Sequence, residues 1–146
     1  MLLRFASETP HNMKLGRLDS IDAFEVKSRA TGEVYTLCRS LTEGTGISDF
    51  RVMVEELPPS HKTSAPHFHS KKHELYVVMR GSPTAYVNGE AIDLNAGDFI
   101  VFEASTGDVH YLQNRTTGTV ELLTISSSPS DDVTTYEREK SEELVS

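Results

Sequence analysis

The sequence predicts an all-β protein built as a sandwich or barrel of antiparallel strands. Short apolar segments recur along most of the chain, and turn-forming residues separate them at regular intervals. One separator is Asn88-Gly89, the dipeptide preferred in two-residue type I′ hairpins. Short strands at this spacing are typical of all-β sandwiches and barrels.

The strands are expected from residue 24 onward. Residues 23–30 and 33–41 flank a turn at Thr31-Gly32. Residues 50–57 form the next strand, which Pro58 ends because proline cannot donate a hydrogen bond to a β-ladder. The later strands are expected at residues 75–79, 84–87, 90–94, 99–104, 108–114 and 119–127.

The chain length of 146 residues suits one domain with a core of its own and is too short for two. Residues 1–24 show no sustained period, so we expect an irregular segment wrapped on the outside of the domain. Residues 25–128 are expected to form the β-barrel. Residues 129–146 are polar and acidic, and we expect them to be a loosely attached tail.

Composition and charge exclude several classes of partner. The formal net charge is −8, and no basic stripe is present, so we exclude nucleic acid and anionic lipid. No apolar run approaches a membrane span, and residues 1–13 lack the apolar core of a signal peptide. We therefore expect no membrane contact and a cytoplasmic location. The single cysteine, Cys38, lies in an apolar run and is expected to be a buried, unreactive thiol.

Two predicted strands, residues 75–79 and 99–102, are apolar on both faces. A strand with one face in water would alternate between apolar and polar residues. The outer face of these strands must therefore be covered by the N-terminal segment, by the opposite sheet or by a second subunit. The sequence does not choose among these, and a homodimer is one of the expectations.

Two histidines followed by an acid carry the clearest chemical signal in the chain. His67 and His69 alternate, so an extended backbone directs both imidazoles to one face. Glu74 would fall on the opposite face of an unbroken strand, and we expect a turn at residues 70–72 to bring it back. A turn one residue shorter would put His73 in that place instead. Two imidazoles and a carboxylate form an incomplete divalent-metal site that requires a further ligand.

The chain also resembles the cupin superfamily through a pair of motifs. One stretch reads H-x-H-x4-E-x6-G and, fifteen residues later, another reads G-x7-S-x-G-x2-H-x3-N. Position by position, this resemblance implies that His67, His69, Glu74 and His110 are the metal ligands and that Gly81, Gly97, Gly107 and Asn114 are structural residues. It extends over residues 50–126.

Three positions depart from the family pattern. His61 replaces an expected glycine, Ser105 replaces an expected proline, and two extra residues lie between Gly97 and Ser105. None of the three is a ligand position. The resemblance implies a jelly-roll barrel, also called a double-stranded β-helix, and it favours the dimer because many cupins are dimers.

The implied ligand set bears on function. Three histidines and one glutamate leave two positions open on an octahedral ion, which is typical of reactive rather than structural sites. Imidazole and carboxylate ligands without thiolate suit Fe, Mn, Ni, Co or Zn equally. The resemblance implies a metal-dependent enzyme of isomerase, dioxygenase or decarboxylase type, acting on a small polar molecule such as a sugar derivative or carboxylic acid. A non-catalytic metal-dependent ligand-binding, sensor or storage protein is the alternative.

Three side chains are expected to line the cavity beside the metal. Tyr76 and Val78 share the face of Glu74 on a regular strand, and Leu112 shares the face of His110. Tyr76 is the candidate catalytic residue, acting as an acid or as a hydrogen-bond donor, and the alternative is that its ring only fills the barrel interior.

The remaining candidates have weaker signals. Arg80 lies near the barrel end, where it would either meet an anionic substrate or remain a solvated charge. His11 and His61 match no ligand position and are expected at the surface or in hydrogen-bonded core positions.

Overall fold

Two antiparallel sheets face each other in the computed structural model, which describes residues 12–137. The elements are a 3₁₀ turn (Leu18–Ser20) and the strands β1 (Phe24–Lys27), β2 (Val34–Ser40), β3 (Phe50–Leu57), β4 (His67–His69), β5 (Glu74–Arg80), β6 (Thr84–Val87), β7 (Glu90–Asp93), β8 (Phe99–Phe102), β9 (His110–Gln113), β10 (Val120–Ser127) and β11 (Thr134–Tyr136). Within these residues, no helix is long and apolar enough to cross a bilayer.

The order of the strands confirms the predicted architecture. One sheet has the order β1-β2-β3-β10-β5-β8 and the other has the order β11-β4-β9-β6-β7. From β3 onward the chain passes back and forth between the sheets, with the β6–β7 hairpin as the one local pair. This is the jelly-roll, double-stranded β-helix arrangement, and the all-β prediction is correct.

Two turns show why glycine is needed where the sequence has it. Asn88 and Gly89 have φ values of 51° and 83°, and Val87 pairs with Glu90 across them, as a type I′ hairpin requires. Gly81 has a φ of 87°, and a Cβ there would lie 2.9 Å from Cγ2 of Val120. Any other residue at Gly81 would be strained in its backbone and would displace β10.

The apolar core occupies one end of the space between the sheets. Its most deeply buried members are Leu57, Val78, Leu112, Val120 and Leu122. They come from both sheets, so their contact holds the sheets together. Removing such side chains from water is the main favourable contribution to the stability of a domain of this size.

The outer face of the six-stranded sheet is covered at one side and exposed at the other. The described part of the N-terminal segment begins at residue 12, and it contacts β2, where Arg39 Nε donates to the Ile21 carbonyl oxygen at 3.1 Å. At the β5–β8 side, Phe99, Met79 and Val101 are 66%, 53% and 47% exposed. Residues 12–23 therefore do not cover the strands that are apolar on both faces.

The C-terminal segment differs from the expected loose tail. Thr134–Tyr136 form β11, which pairs with β4 through Thr134 opposite His69 and Tyr136 opposite His67. The five-stranded sheet thus extends beyond the boundary expected at residue 128. The polar composition of the segment concealed a strand at a sheet edge, where polar residues are well tolerated.

Candidate metal centre

The histidine pair and the glutamate meet between the two sheets. His67 and His69 lie on β4 in the five-stranded sheet, and Glu74 is the first residue of β5 in the six-stranded sheet. Residues 70–73 connect the two strands, so the chain changes sheet between the second histidine and the acid. Because the sheets face each other, both imidazoles and the carboxylate point into the shared interior. The predicted interruption between His69 and Glu74 is present.

Three imidazole nitrogens converge on one carboxylate oxygen. The Nε2 atoms of His67, His69 and His110 lie 3.4, 3.1 and 2.8 Å from Oε1 of Glu74. The donor atoms of His67, His69 and Glu74 all lie within 4.8 Å of one another. His110 enters from β9, where it pairs with His67 across the ladder. The four residues implied by the motif resemblance are thus brought together.

The outer nitrogens of two histidines face backbone carbonyl oxygens. Nδ1 of His67 lies 2.8 Å from the Ala65 carbonyl oxygen, and Nδ1 of His110 lies 2.9 Å from the Asp108 carbonyl oxygen. A carbonyl oxygen only accepts, so each Nδ1 carries the hydrogen. When the ring is neutral, each Nε2 therefore presents its lone pair to the interior, as a metal-binding imidazole must.

His69 is oriented by a carboxylate from the C-terminal segment. Its Nδ1 lies 2.7 Å from Oδ2 of Asp132, while Oδ1 of Asp132 accepts the backbone N–H groups of Lys71 and Lys72 at 2.8 and 2.9 Å. Burial raises the pKa of Asp132, but these backbone donors and His69 outweigh it and hold the pKa below its usual range. A carboxylate behind an imidazole fixes the ring and makes Nε2 a better ligand.

The sequence interpretation missed Asp132 because it assigned residues 129–146 to a tail. The signal available was weak: two acids, Asp131 and Asp132, followed by the β-branched residues 133–135. Asp131 pairs with Lys71 at the surface, so only the second acid reaches the centre.

The donor set fits a divalent cation. Three Nε2 lone pairs and a carboxylate oxygen are all electron donors, and together they repel unless a positive charge lies among them. Burial alone would raise the pKa of Glu74, but hydrogen bonds from His110, His67 and His69, which these rings donate when Nε2 carries a proton, hold the pKa well below its usual range. Glu74 is therefore ionised at neutral pH, as a metal ligand requires.

Two aromatic side chains hold members of the histidine–glutamate cluster in place. The Tyr76 hydroxyl donates to Oε2 of Glu74 at 3.1 Å, which leaves Oε1 directed at the histidines. The ring of Phe102 stacks on His110 with a centroid distance of 3.8 Å and an interplanar angle of 7°. Burial, followed by the charges of Glu74 and Glu55, raises the pKa of Tyr76 well above 10, so it remains a donor.

Two of the residues expected to line the cavity do not do so. The cavity beside the centre has a volume of about 240 Å³, and Tyr76 is among its lining residues. Val78 and Leu112 are packed in the apolar core instead. They share the inward face of their strands with the ligands, but they lie deeper along the barrel axis.

Other candidates lie outside the centre. Nδ1 of His73 accepts the Ala104 N–H at 2.9 Å at the surface, and Nδ1 of His61 lies 2.9 Å from the Tyr35 carbonyl oxygen. Arg80 is exposed at the end of β5. His11 falls outside the described residues. The register that would use His73 in place of Glu74 is not the one observed.

The cavity also contains an acid that the sequence interpretation did not single out. Glu55 on β3 lines it together with Glu74 and Tyr76. The available signal was strand parity: Glu55 alternates with the apolar residues Met53 and Leu57, so it shares their inward face.

The structure explains why residue 105 is serine where the family pattern has proline. Its φ of 62° is inaccessible to proline, and its N–H donates to the His69 carbonyl oxygen at 3.0 Å, a bond that proline cannot make. The longer loop before Gly107 therefore follows a different path from the one a proline would allow.

A family model described as a cupin domain matches residues 53–126, which hold the whole histidine–glutamate cluster. The chain belongs to the cupin family. Cupins of known structure share its fold. A sugar phosphate isomerase from a cupin superfamily, from Silicibacter pomeroyi, is 23% identical with a TM-score of 0.75, over 83% of this chain and 80% of that chain.

Two further structures are similar to this cupin. The polyketide cyclase RemF of Streptomyces resistomycificus is 22% identical with a TM-score of 0.70, over 86% of this chain and 85% of that chain. A predicted oxalate decarboxylase of Thermotoga maritima is 19% identical with a TM-score of 0.65, over 77% and 97% of the two chains. Identities at this level establish the shared fold alone. No curated protein sequence matches the chain.

Proposed function

We propose that this cupin is a metal-dependent enzyme acting on a small polar molecule, with His67, His69, Glu74 and His110 as the metal ligands. One observation carries the proposal: three imidazole Nε2 atoms converge within 3.4 Å of a single Glu74 oxygen beside a cavity. The cofactor is one divalent ion, and the ligand types suit Fe, Mn, Ni, Co or Zn.

The bound ion would supply positive charge that polarises a carbonyl or carboxylate of the substrate. The protein residues have separate tasks around it. Asp132 orients His69, Phe102 orients His110, and Tyr76 holds the second oxygen of Glu74. The small cavity limits the substrate to a compact molecule.

The structurally similar proteins support the enzyme reading by analogy. They include an isomerase, a cyclase and a predicted decarboxylase, all named for reactions on small molecules. Isomerase, dioxygenase and decarboxylase types all remain within the proposal, because one fold hosts many reactions. The alternative function is non-catalytic binding of a small ligand at the metal.

Metal analysis of protein purified without chelator tests the ligand assignment. We expect about one divalent ion per chain in the wild type and almost none in the triple variant His67→Ala, His69→Ala, His110→Ala. His73→Ala is the matched control and should retain the metal, because its ring bonds Ala104 at the surface. Stoichiometric metal in the triple variant would contradict the proposal.

A substrate panel then separates the enzyme from the alternative. The metal-loaded protein is incubated with sugar phosphates, small carboxylic acids and diketones, and the products are followed by NMR. Metal-dependent turnover that disappears in the triple variant supports the enzyme. Saturable binding of a panel member without turnover favours the non-catalytic function.

We infer further that a second copy of the chain covers the apolar outer face of β5 and β8. β8 is an edge strand, so its free ladder groups and its exposed Phe99 and Val101 lie side by side. Light scattering at micromolar concentration should give a dimer mass. The double variant Phe99→Lys, Val101→Lys should be monomeric, whereas Ile92→Lys on the other sheet should remain dimeric. A monomeric wild type would refute the dimer.

A further inference from the structure

A second carboxyl group points into the metal cavity without being one of the ligands. Glu55 lies on the inward face of β3 and is only 6% exposed. Its neighbour Glu56 points outward, where it forms an ion pair with Arg39 at 2.9 Å. Adjacent acids on one strand therefore have opposite environments, and only Glu55 needs an explanation beyond surface charge.

Polar side chains surround Glu55, but within residues 12–137 it forms no ion pair with a cationic side chain. Its Oε1 accepts a hydrogen bond from the Cys38 thiol at 3.4 Å, and the hydroxyl groups of Thr36 and Thr124 lie near it and lower its pKa. Glu74 on β5 adds a negative charge nearby. Burial is the largest effect and raises the pKa of Glu55 to about 7. Such an acid exchanges its proton readily at neutral pH.

The other titratable groups facing Glu55 do not compete for this role. Burial and the charge of Glu55 raise the pKa of Cys38 far above its usual value, so the thiol stays protonated. Tyr76 is committed to Glu74 by its hydroxyl hydrogen. Glu74 itself is ionised and assigned to the metal. Glu55 is the carboxyl that remains available in the cavity.

We propose that Glu55 is the proton-transfer residue of this site and that the substrate is a compact carbonyl compound isomerised beside the metal. This proposal rests on the proposed function and narrows it to the isomerase type. A molecule small enough for the 240 Å³ cavity that contacts Glu74 and the histidines has Glu55 in the same enclosure. Dioxygen chemistry would not require a buried acid poised in this way.

The proposed reaction needs no co-substrate, because all protons and electrons come from the substrate and Glu55. For an α-hydroxy ketone, the Glu55 carboxylate takes a proton from the hydroxymethyl carbon. The C–H electron pair becomes the second bond between the two carbons, and the carbonyl π pair moves to the carbonyl oxygen. Return of the proton to the same carbon regenerates the carboxylate and the ketone. Transfer of the hydroxyl proton to the former carbonyl oxygen, with return of the first proton to the former carbonyl carbon, regenerates the carboxylate and gives the aldehyde isomer. No oxidant or reductant is consumed.

Hydroxyacetone in D₂O is the probe for this step. Protein loaded with Co²⁺ is incubated with it, and deuterium entering the hydroxymethyl group is followed by NMR. We expect exchange by the wild type and a loss on the order of 100-fold or more in Glu55→Gln, the scale of a general acid–base contribution. Glu56→Gln is the matched control and should exchange at the wild-type rate.

Two measurements keep this test separate from that of the proposed function. Metal content is determined first, and both glutamine variants should bind Co²⁺ like the wild type because neither residue is a ligand. Infrared titration of the metal-free protein should show one carboxyl group that changes protonation near pH 7, absent in Glu55→Gln and retained in Glu56→Gln.

The outcomes that overturn the proposal are specific. Exchange by metal-loaded Glu55→Gln at the wild-type rate removes Glu55 from the reaction. No exchange by metal-loaded wild type refutes the isomerase type. Failure of the wild type to bind Co²⁺ contradicts the proposed function instead, and the infrared titration still decides whether Glu55 is the poised acid.

Discussion

The two ends of the barrel interior are built on the same strands and have opposite chemistry. β5 places Glu74 at the polar end and Val78 in the apolar core, and Tyr76 between them belongs to the core while its hydroxyl bonds Glu74. β9 places His110 at the polar end and Leu112 in the core. Strand alternation decides which side chains point inward. Position along the strand decides whether an inward side chain contributes to the metal centre or to packing.

The side chains at the polar end require hydrogen-bond partners, whereas those at the apolar end do not. A buried polar atom without a hydrogen bond costs free energy, whereas buried Leu and Val side chains only need close packing. In the described part of the chain, Ser128 Oγ is the one buried side-chain polar atom without a partner, and it belongs to neither group. The buried polar side-chain atoms of the histidine–glutamate cluster therefore all have hydrogen-bond partners.

The largest effect is expected from a cavity at the apolar end. Leu122→Ala removes a fully buried side chain from between the sheets and should lower the free energy of unfolding by about 2–5 kcal/mol. Urea denaturation measures this loss. Leu123→Ala, on the outward face of the same strand, should cost clearly less. The folded Leu122→Ala protein should still bind metal, and loss of binding would show that the two ends are not separable.

The next effect is a pH-dependent difference at the polar end. The pKa of Glu55 is raised from its usual 4.5 to about 7 when folded, so between these values only the folded protein holds this proton. At about 1.4 kcal/mol per pKa unit, the wild type should lose on the order of 3 kcal/mol of stability as pH rises from 4.5 through 7.

Glu55→Gln removes this pH-dependent contribution to the free energy of unfolding. Denaturation of the metal-free proteins at several pH values should show the variant gaining on the wild type as pH rises from 4.5 through about 7, with the difference constant well below and well above this window. Other titrating groups are common to both proteins and cancel in the difference. A constant difference across this range would mean that Glu55 is not poised near neutrality.

A smaller effect, on metal affinity, is expected from Asp132, which lies on the outer side of the His69 ring. Asp132→Asn keeps the shape of the side chain but removes the charge that fixes and strengthens His69. Metal affinity should fall about 10–100-fold, as is usual when such a partner is lost. Competition with a chelator measures it. Asp131→Asn is the control, since that residue is at the surface with Lys71, and an equal loss in both variants would point to overall charge instead.

The sequence was sufficient wherever the information is local. Residues 50–57 were predicted as a strand with the bounds observed, the Asn88-Gly89 turn is present, and the motif spacing brought His67, His69, Glu74 and His110 together. Alternation and turn chemistry act over a few residues, so the sequence displays them directly.

Long-range partners and depth were not predictable in this way. Asp132 reaches His69 only because β11 pairs with β4, and no local pattern specifies that pairing. Alternation assigned Val78 and Leu112 to the correct face, but it does not say how far along the barrel each one lies. Glu55 had the right parity, yet whether an inward acid meets a cavity or a cation depends on the opposite sheet.

The pairing of β11 with β4 also determines which part of the site can form last during synthesis. The chain leaves the ribosome from its N-terminus, so His67, His69, Glu74 and His110 emerge before Asp132. β10, which joins β3 to β5, emerges before β11 as well. We expect the nascent barrel to close around its apolar core while His69 still lacks its carboxylate. We then expect tight binding of the proposed metal ion only after β11, which carries none of the proposed ligands, has paired with β4.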